Sequence, residues 1–231
     1  MADYSKIITQ HMENLCKEQI EAFNTYMNAL LECNKMYNLT AITEPNDVVV
    51  KHFLDSVQGA QLIPEGASVI DIGSGAGFPA IPLKIVRDDI AITMMDSVGK
   101  KVDFLHKTVE KLALCNATAI HMRAEEAAGT SMRESFDVAV SRAVGGLNGL
   151  LEYTTPLVKV GGYFIAYKGA NAKDELDCAK GAIAKLNLNL VETIEFKLAG
   201  EYDRTIYLFK KMAKTHEKYP RPYNQIKTKP L

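Results

Sequence analysis

The stretch "VIDIGSGAGFPAIPL", Val69–Leu83, decides the reading of this chain. A short apolar run is broken by one acid, Asp71. Gly73, Gly75 and Gly77 then alternate with other residues, and an apolar segment with two prolines follows. An apolar run bounded by glycine reads as a buried strand ending in a turn. "FPAIPLKIV" fits a helix with Pro79 in its first turn, where a missing N–H costs little, and Pro82 in that turn or just beyond. Glycine accepts positive φ and lets a ligand approach the backbone with no Cβ in the way. A strand, a glycine-rich turn and a helix in that order place a ligand at the carboxyl end of the strand.

Downstream, the same alternation continues. "AITMMD", "ATAIHMR", "FDVAVSR" and "VGGYFIAYKG" read as four more strands separated by helices. In "GKKVDFLHKTVEKLAL", Val102, Leu105, Val109 and Leu112 share one helical side. This predicts an α/β fold with a doubly wound, mostly parallel sheet. The last two strand-like runs, "NLVETIEFKL" and "RTIYLFKK", are joined only by "AGEYD". No helix fits there, so they should form a C-terminal antiparallel hairpin. Upstream, the apolar spacing from Ile8 to Leu30 predicts one helix over residues 5–33, and "TEPNDVVVKHFLDSV" a second, capped helix. Gly59–Gly66 marks a break. The expected organisation is an N-terminal helical segment (1–63), a Rossmann-like domain (64–213) and a basic tail (214–231).

The formal net charge of −1 hides an asymmetry. Residues 204–231 hold eight basic residues against one acid, Glu217, on an otherwise mildly acidic chain. Such a tail fits a polyanionic partner, and equally a solvated tail with none. The apolar stretches are far too short to span a membrane. "MADYSKIITQHMENL" lacks the basic start and apolar run of a signal peptide. Cys16, Cys33, Cys115 and Cys178 form no CxxC pair or metal-ligand cluster. They read as reduced thiols, mostly core filler, in a cytoplasmic protein without a metal.

Two ligands compete for the glycine turn. A nicotinamide or flavin dinucleotide wants GxGxxG, whose third glycine permits close packing of helix on strand. Here Phe78 stands at that position. S-adenosylmethionine carries no phosphate and needs a ribose acceptor, which Asp96 at the end of the second strand supplies. Asp96 suits either ligand; the glycine spacing and the terminal hairpin favour the methyl donor. In "RAEEAA", Ala124 and Glu125 stand where an adenine edge could be read, although an acid there also suits a helix N-terminus. Arg142 ends the fourth strand at the same crevice and is a candidate for positioning donor or substrate.

Missing residues narrow the acceptor. The position of the Asn/Asp-Pro-Pro-aromatic motif of exocyclic amine methylation reads "SRAVGG". Carbon methylation of a pyrimidine needs a cysteine nucleophile, and Cys115 falls at the far edge. An acceptor with its own lone pair remains, such as guanine N7, which needs no general base. Carboxyl, phenol and alcohol oxygens stay open on these grounds. So do a small-molecule or protein methyltransferase, a donor-binding regulator without turnover and, less well, a nicotinamide oxidoreductase.

"NKMYNLTAIT", "KHFLDSV", "DIGSGAGFPAIPLKI", "DSVGKKVDFL", "RAEEAA", "SRAV", "AYKG" and the closing "YPR…KPL" occur in order. Together they resemble the bacterial 16S rRNA guanine-N7 methyltransferases, the glucose-inhibited division protein B family, over nearly the whole chain. The resemblance implies a class I methyltransferase fold, S-adenosylmethionine as donor and a guanine in the decoding-region loop of small-subunit rRNA as target. Family donor contacts carry over onto Gly73, Phe78, Ala124, Glu125 and Arg142; Gly75, Gly77 and Asp96 join them from the residues themselves. Cys33 replaces a common tryptophan, Lys101 a common arginine, and "YPRPYNQIKTKPL" lacks the glycine often found after "YPR". Candidate contacts to 16S rRNA are Lys51, His52, Lys168, Lys218, Arg221, Lys227 and Lys229. Asn38, Thr40 and Asp55 either line the same crevice or cap turns. Tyr219 and Tyr223 either stack on bases or dock the tail. A monomer is expected.

Overall fold

The computed structural model describes residues 2–142 and 145–231. Its centre is β1 (Ser68–Ile72), flanked by β2 (Ala91–Asp96) and β3 (Ala117–His121) on one side. On the other side lie β4 (Phe136–Arg142), β5 (Val158–Lys168), β7 (Tyr202–Lys211) and β6 (Leu188–Leu198), giving the order β3-β2-β1-β4-β5-β7-β6. The first five strands are parallel. β7 runs antiparallel to both β5 and β6, closing the sheet with the expected hairpin. Its turn uses Ala199 and Gly200, both at positive φ.

Neighbouring residues of β1 point to opposite faces, as the pleat requires. Val69 joins a core with Phe23, Tyr26, Phe53, Ile81 and Leu105. Ile70 joins a second core with Leu147, Leu151, Phe164 and Phe209. The first is covered by α1 (Ser5–His11), α2 (Lys17–Asn34), a third helical rod, α5 (Ala80–Val86) and α6 (Gly99–Lys111). That rod starts as α3 (Pro45–Val48), winds as a π-helix over Val49–Leu54 and ends as α4 (Asp55–Val57). The second face carries α7 (Ala124–Ala127), α8 (Leu147–Thr154), α9 (Ala172–Cys178) and α10 (Lys180–Lys185). The chain ends in α11 (Tyr223–Thr228), whose Ile226 is buried against Gly149.

Three expectations need correction. The single helix over 5–33 is two helices. Met12 is extended, Asn14 takes φ 61°, and α2 restarts behind Cys16, whose N–H is accepted by Gln19. Asparagine tolerates that left-handed turn, and the turn lets both helices bury apolar faces in one core. Pro79 sits at the N-cap of α5 rather than in its first turn, while Pro82 lies inside that turn. The cysteines are not core filler. Cys16, Cys115 and Cys178 are exposed and Cys33 is only half-buried, because they fall at helix ends and in the turn before β3.

Gly77 allows no side chain. Its φ is +100°, and a Cβ would sit 2.5 Å from Ile81 Cδ1 and 2.9 Å from the Tyr26 hydroxyl oxygen. That hydroxyl donates to the Ala76 carbonyl at 2.6 Å, fastening the glycine turn to α2. Gly77→Ala should lower the free energy of unfolding in urea by on the order of 2–4 kcal/mol. Gly200→Ala, at similar φ but facing open space, should lose only about 1 kcal/mol. Equal losses would remove the packing argument.

Candidate functional site

Two cavities open at the carboxyl edge of the sheet. The first, about 320 Å³, lies over β1, β2 and β3 and is lined by Gly73, Asp96, Val98, Ala124, Glu125, Tyr153 and Tyr223 among others. Its floor is fixed by backbone. The N–H groups of Gly73 and Ser74 both donate to the Met95 carbonyl, at 2.9 and 3.0 Å. Asp96 clasps the two turns around the cavity, accepting from Gly75 N–H at 2.8 Å and Val98 N–H at 2.9 Å. A carboxylate offers about four acceptor positions, so capacity is left for hydroxyl donors. Beneath the turn, Asp71 is fully buried, and its carboxyl oxygens have no hydrogen-bond partner among the described residues. Burial pushes its pKa up to about 8. A buried acceptor left open fits a site completed by a ligand or ordered water. Burial and the nearby Glu125 charge raise Tyr153 to about 12, so it stays a neutral phenol.

The second cavity, about 440 Å³, lies beyond the end of β4 and is lined by Lys51, His52, Asp55, Arg142, Tyr167, Lys168 and Arg204 among others. π-winding over Val49–Leu54 turns the rod toward Arg142 here; such turns recur at functional sites. The Arg142 guanidinium donates to the Lys51 carbonyl (2.8 Å), to Asp55 (2.9 Å) and to His52 Nδ1 (2.8 Å). It also lies over the Phe78 ring, 5.1 Å from the centroid. Arg204, from β7, reaches the other Asp55 oxygen at 3.2 Å. His52 stacks on Phe78 with centroids 4.3 Å apart. A guanidinium can only donate, so Nδ1 of His52 is the acceptor and the proton sits on Nε2. Nε2–H then donates to the Thr40 hydroxyl at 2.8 Å. Burial and the Arg142 charge push His52 down to about 3. The imidazole is neutral, held at both nitrogens and unavailable as a base.

With this geometry in view, comparison with known proteins is decisive. The family model described as rRNA small subunit methyltransferase G matches residues 19–207. A protein of that name from Lactobacillus helveticus is 41% identical over 230 residues, covering 97% of this chain and 96% of the relative. Another from Desulfitobacterium hafniense is 42% identical over 219 residues, covering 94% and 91%.

The chain belongs to the rRNA small subunit methyltransferase G family.

Solved structures support the fold. A SAM-dependent methyltransferase from Aquifex aeolicus superposes with TM-score 0.58 at 16% identity, over 74% of this chain and 96% of that one. The ribosomal protein L11 methylase of Lactobacillus delbrueckii subsp. bulgaricus gives 0.54 at 12% identity, over 71% and 79%. The architecture is that of class I S-adenosylmethionine-dependent methyltransferases.

Among the residues singled out from sequence, Gly73, Asp96, Ala124 and Glu125 line the first cavity. Gly75 acts on it through Asp96. Gly77 and Phe78 lie outside that lining: Gly77 fits closely against Ile81 and Tyr26, and Phe78 is the platform under His52 and Arg142. Arg142, Lys51 and His52 line the second cavity, with Lys51 held by Asp47 at 2.9 Å. Of the expected RNA contacts, Arg221 is corrected, and Lys168, although it lines the second cavity, has its ammonium committed within the protein. Lys168 is buried, its ammonium donating to Glu175 (2.8 Å) and to the Gly145 carbonyl (3.2 Å). Arg221 turns inward onto Glu152, which is wholly buried, donating to its two oxygens at 2.8 and 2.7 Å and through its backbone N–H at 2.9 Å. Desolvated charges must be paired, and both lysine and arginine serve here as internal partners. Lys218, Lys227 and Lys229 are exposed. Sequence reasoning missed Asp71, Arg204, Glu152 and Tyr153 as site residues. The lone acid in an otherwise apolar strand was the one available signal, for Asp71.

Asp71 yields a pH test. Its native pKa of about 8 lies above the ordinary 3.8, so the folded chain keeps a proton that the unfolded chain releases. The associated stability is whole below about pH 4 and is lost as pH rises through about 8. Asp71→Asn should therefore raise Tm near pH 8 and change it little near pH 4. An equal shift at both would mean that the carboxyl is ionised in the fold.

Proposed function

We propose that this protein transfers the methyl group of S-adenosylmethionine to N7 of a guanine in 16S rRNA, with the donor in the first cavity and the base in the second. The donor's ribose hydroxyls would meet Asp96, its methionine end the Gly73 turn, and its adenine the Ala124–Glu125 side. In the transfer, the N7 lone pair forms a bond to the methyl carbon as the carbon–sulfur bond breaks and its electron pair goes to sulfur. N7 carries no proton, so no base is required.

The observation that carries this reading is the state of His52. The histidine at the site is held neutral at both nitrogens, and Asp55 beside it is tied to two arginines. An acceptor that must lose a proton finds no poised base among these residues. What the site supplies instead is alignment, which can lower a barrier by roughly 7–11 kcal/mol. Arg142, at the end of β4 and lining the second cavity, would orient the base.

Lys51, Arg204 and the exposed Lys218, Lys227 and Lys229 supply cations for phosphate, so binding should weaken with salt. No described helix is long and apolar enough to cross a membrane. We assign the protein to the cytoplasm, acting on the small ribosomal subunit as a monomer.

The decisive assay mixes the purified protein, labelled S-adenosylmethionine and small-subunit particles from cells lacking it, then identifies the labelled nucleoside by mass. The expected product is 7-methylguanosine; transfer to another atom would overturn the acceptor. Gly73→Val and Asp96→Ala should each weaken donor binding by roughly tenfold or more. Arg204→Ala should raise KM for particles by about tenfold while donor affinity stays at the wild-type value. A loss of donor affinity in that variant would dissolve the division between the two cavities.

A further inference from the structure

The tail is anchored mainly by residues other than Tyr223. Tyr219 and Ile226 are buried, Arg133 donates to the carbonyls of Thr215, His216 and Tyr219, and Arg221 is locked onto Glu152. Tyr223 lies within this docked segment, yet its side chain is 40% exposed. The ring lines the first cavity beside Arg123, Glu125 and Tyr153. Arg123 lies over its face at 5.2 Å from the centroid and Lys227 at 5.8 Å. An aromatic ring left exposed in a segment that other residues hold, and steadied by two cations at a cavity, is placed to meet a ligand.

We propose that Tyr223 is a donor-binding residue, forming the adenine-side wall of the first cavity, and that the docked tail exists in part to hold it there. The inference rests on the placement of the donor in that cavity. The side is set by neighbours: Arg123 lies over Tyr223, and Tyr153 is near both Tyr223 and Glu125 on the lining of the same cavity. A flat apolar ring suits a neutral purine, and phenylalanine would serve almost as well as tyrosine. Arg221 becomes a positioning residue, acting on the donor through the tail. Loss of its guanidinium leaves Glu152 buried with an unpaired charge, which is relieved when the tail lifts and water enters.

The test is calorimetric titration of the full-length protein with S-adenosylmethionine. Tyr223→Ala should raise Kd by roughly tenfold, and Tyr223→Phe should stay within about twofold of wild type. Arg221→Ala should reproduce the Tyr223→Ala loss. Hydrogen exchange gives a readout apart from affinity: amides of residues 219–228 should slow on addition of S-adenosylmethionine and not on addition of methionine alone. Asp96→Ala separates the two levels of the argument. If it loses affinity while Tyr223→Ala binds normally and tail exchange is unchanged, the role of Tyr223 is wrong and the donor site stands. If Asp96→Ala and Tyr223→Ala both bind normally, the donor site itself is misplaced.

Discussion

The ion pair between Arg142 and Asp55 is the constraint on which the rest of the site depends. It joins the end of a core strand to a helical rod from the other end of the chain, with both groups largely withdrawn from water. Such a pair is costly to break, about 3–5 kcal/mol when one partner is removed, because the other charge is stranded. The Phe78 ring lies beneath it and carries both the guanidinium and the His52 imidazole, which are joined by a hydrogen bond. Phe78 directly follows the glycine turn. The N-terminal rod, the glycine turn and the end of β4 are thus held at one point. The N-terminal helices are a wall of the site, sharing the core of the sheet.

From that point the two cavities differ in charge. The first is lined by Asp96 and Glu125 against Lys101 and Arg123, close to balance; the second has Lys51, Arg142, Lys168 and Arg204 against Asp55 and Glu175, an excess of positive charge. A sulfonium donor is cationic, and a nucleic-acid strand is a polyanion. The second cavity carries the sign that attracts a polyanion, while the first, near balance, offers its acids to a cationic donor at chosen points. Methyl transfer moves positive charge from sulfur to the purine, so the leaving product is neutral where the incoming donor was charged.

Much of this was legible from local pattern. The strand at Val69–Ile72, the glycine turn, Asp96 at the end of β2 and the hairpin without a helix between its strands are short-range features that burial reinforces. What escaped the sequence depends on distant partners. Arg221 looked like an RNA contact because Glu152, 69 residues away, is invisible as its mate until the tail docks. Lys168 misled for a similar reason, through Glu175. Arg204 gave no sign, since its place follows from the register of β7 against β5. The break after α1 turned on Asn14 adopting a left-handed backbone, which apolar spacing alone does not encode.

Asp55 meets one arginine 87 residues later in the chain and another 149 residues later. Contacts of that span are slow to find, because a long segment must lose its freedom before the pairing repays it. The turns around the donor draw on nearer sequence: Asp96 reaches Gly75 across 21 residues. The Asp55 pairings therefore close a longer loop than the glycine turn does. A chain still missing its terminal hairpin can form the Gly73 and Asp96 turns but lacks Arg204 and so a closed cradle for a base. Chemistry on ribosomal RNA then waits for the completed fold, and a partly folded copy is inert by construction.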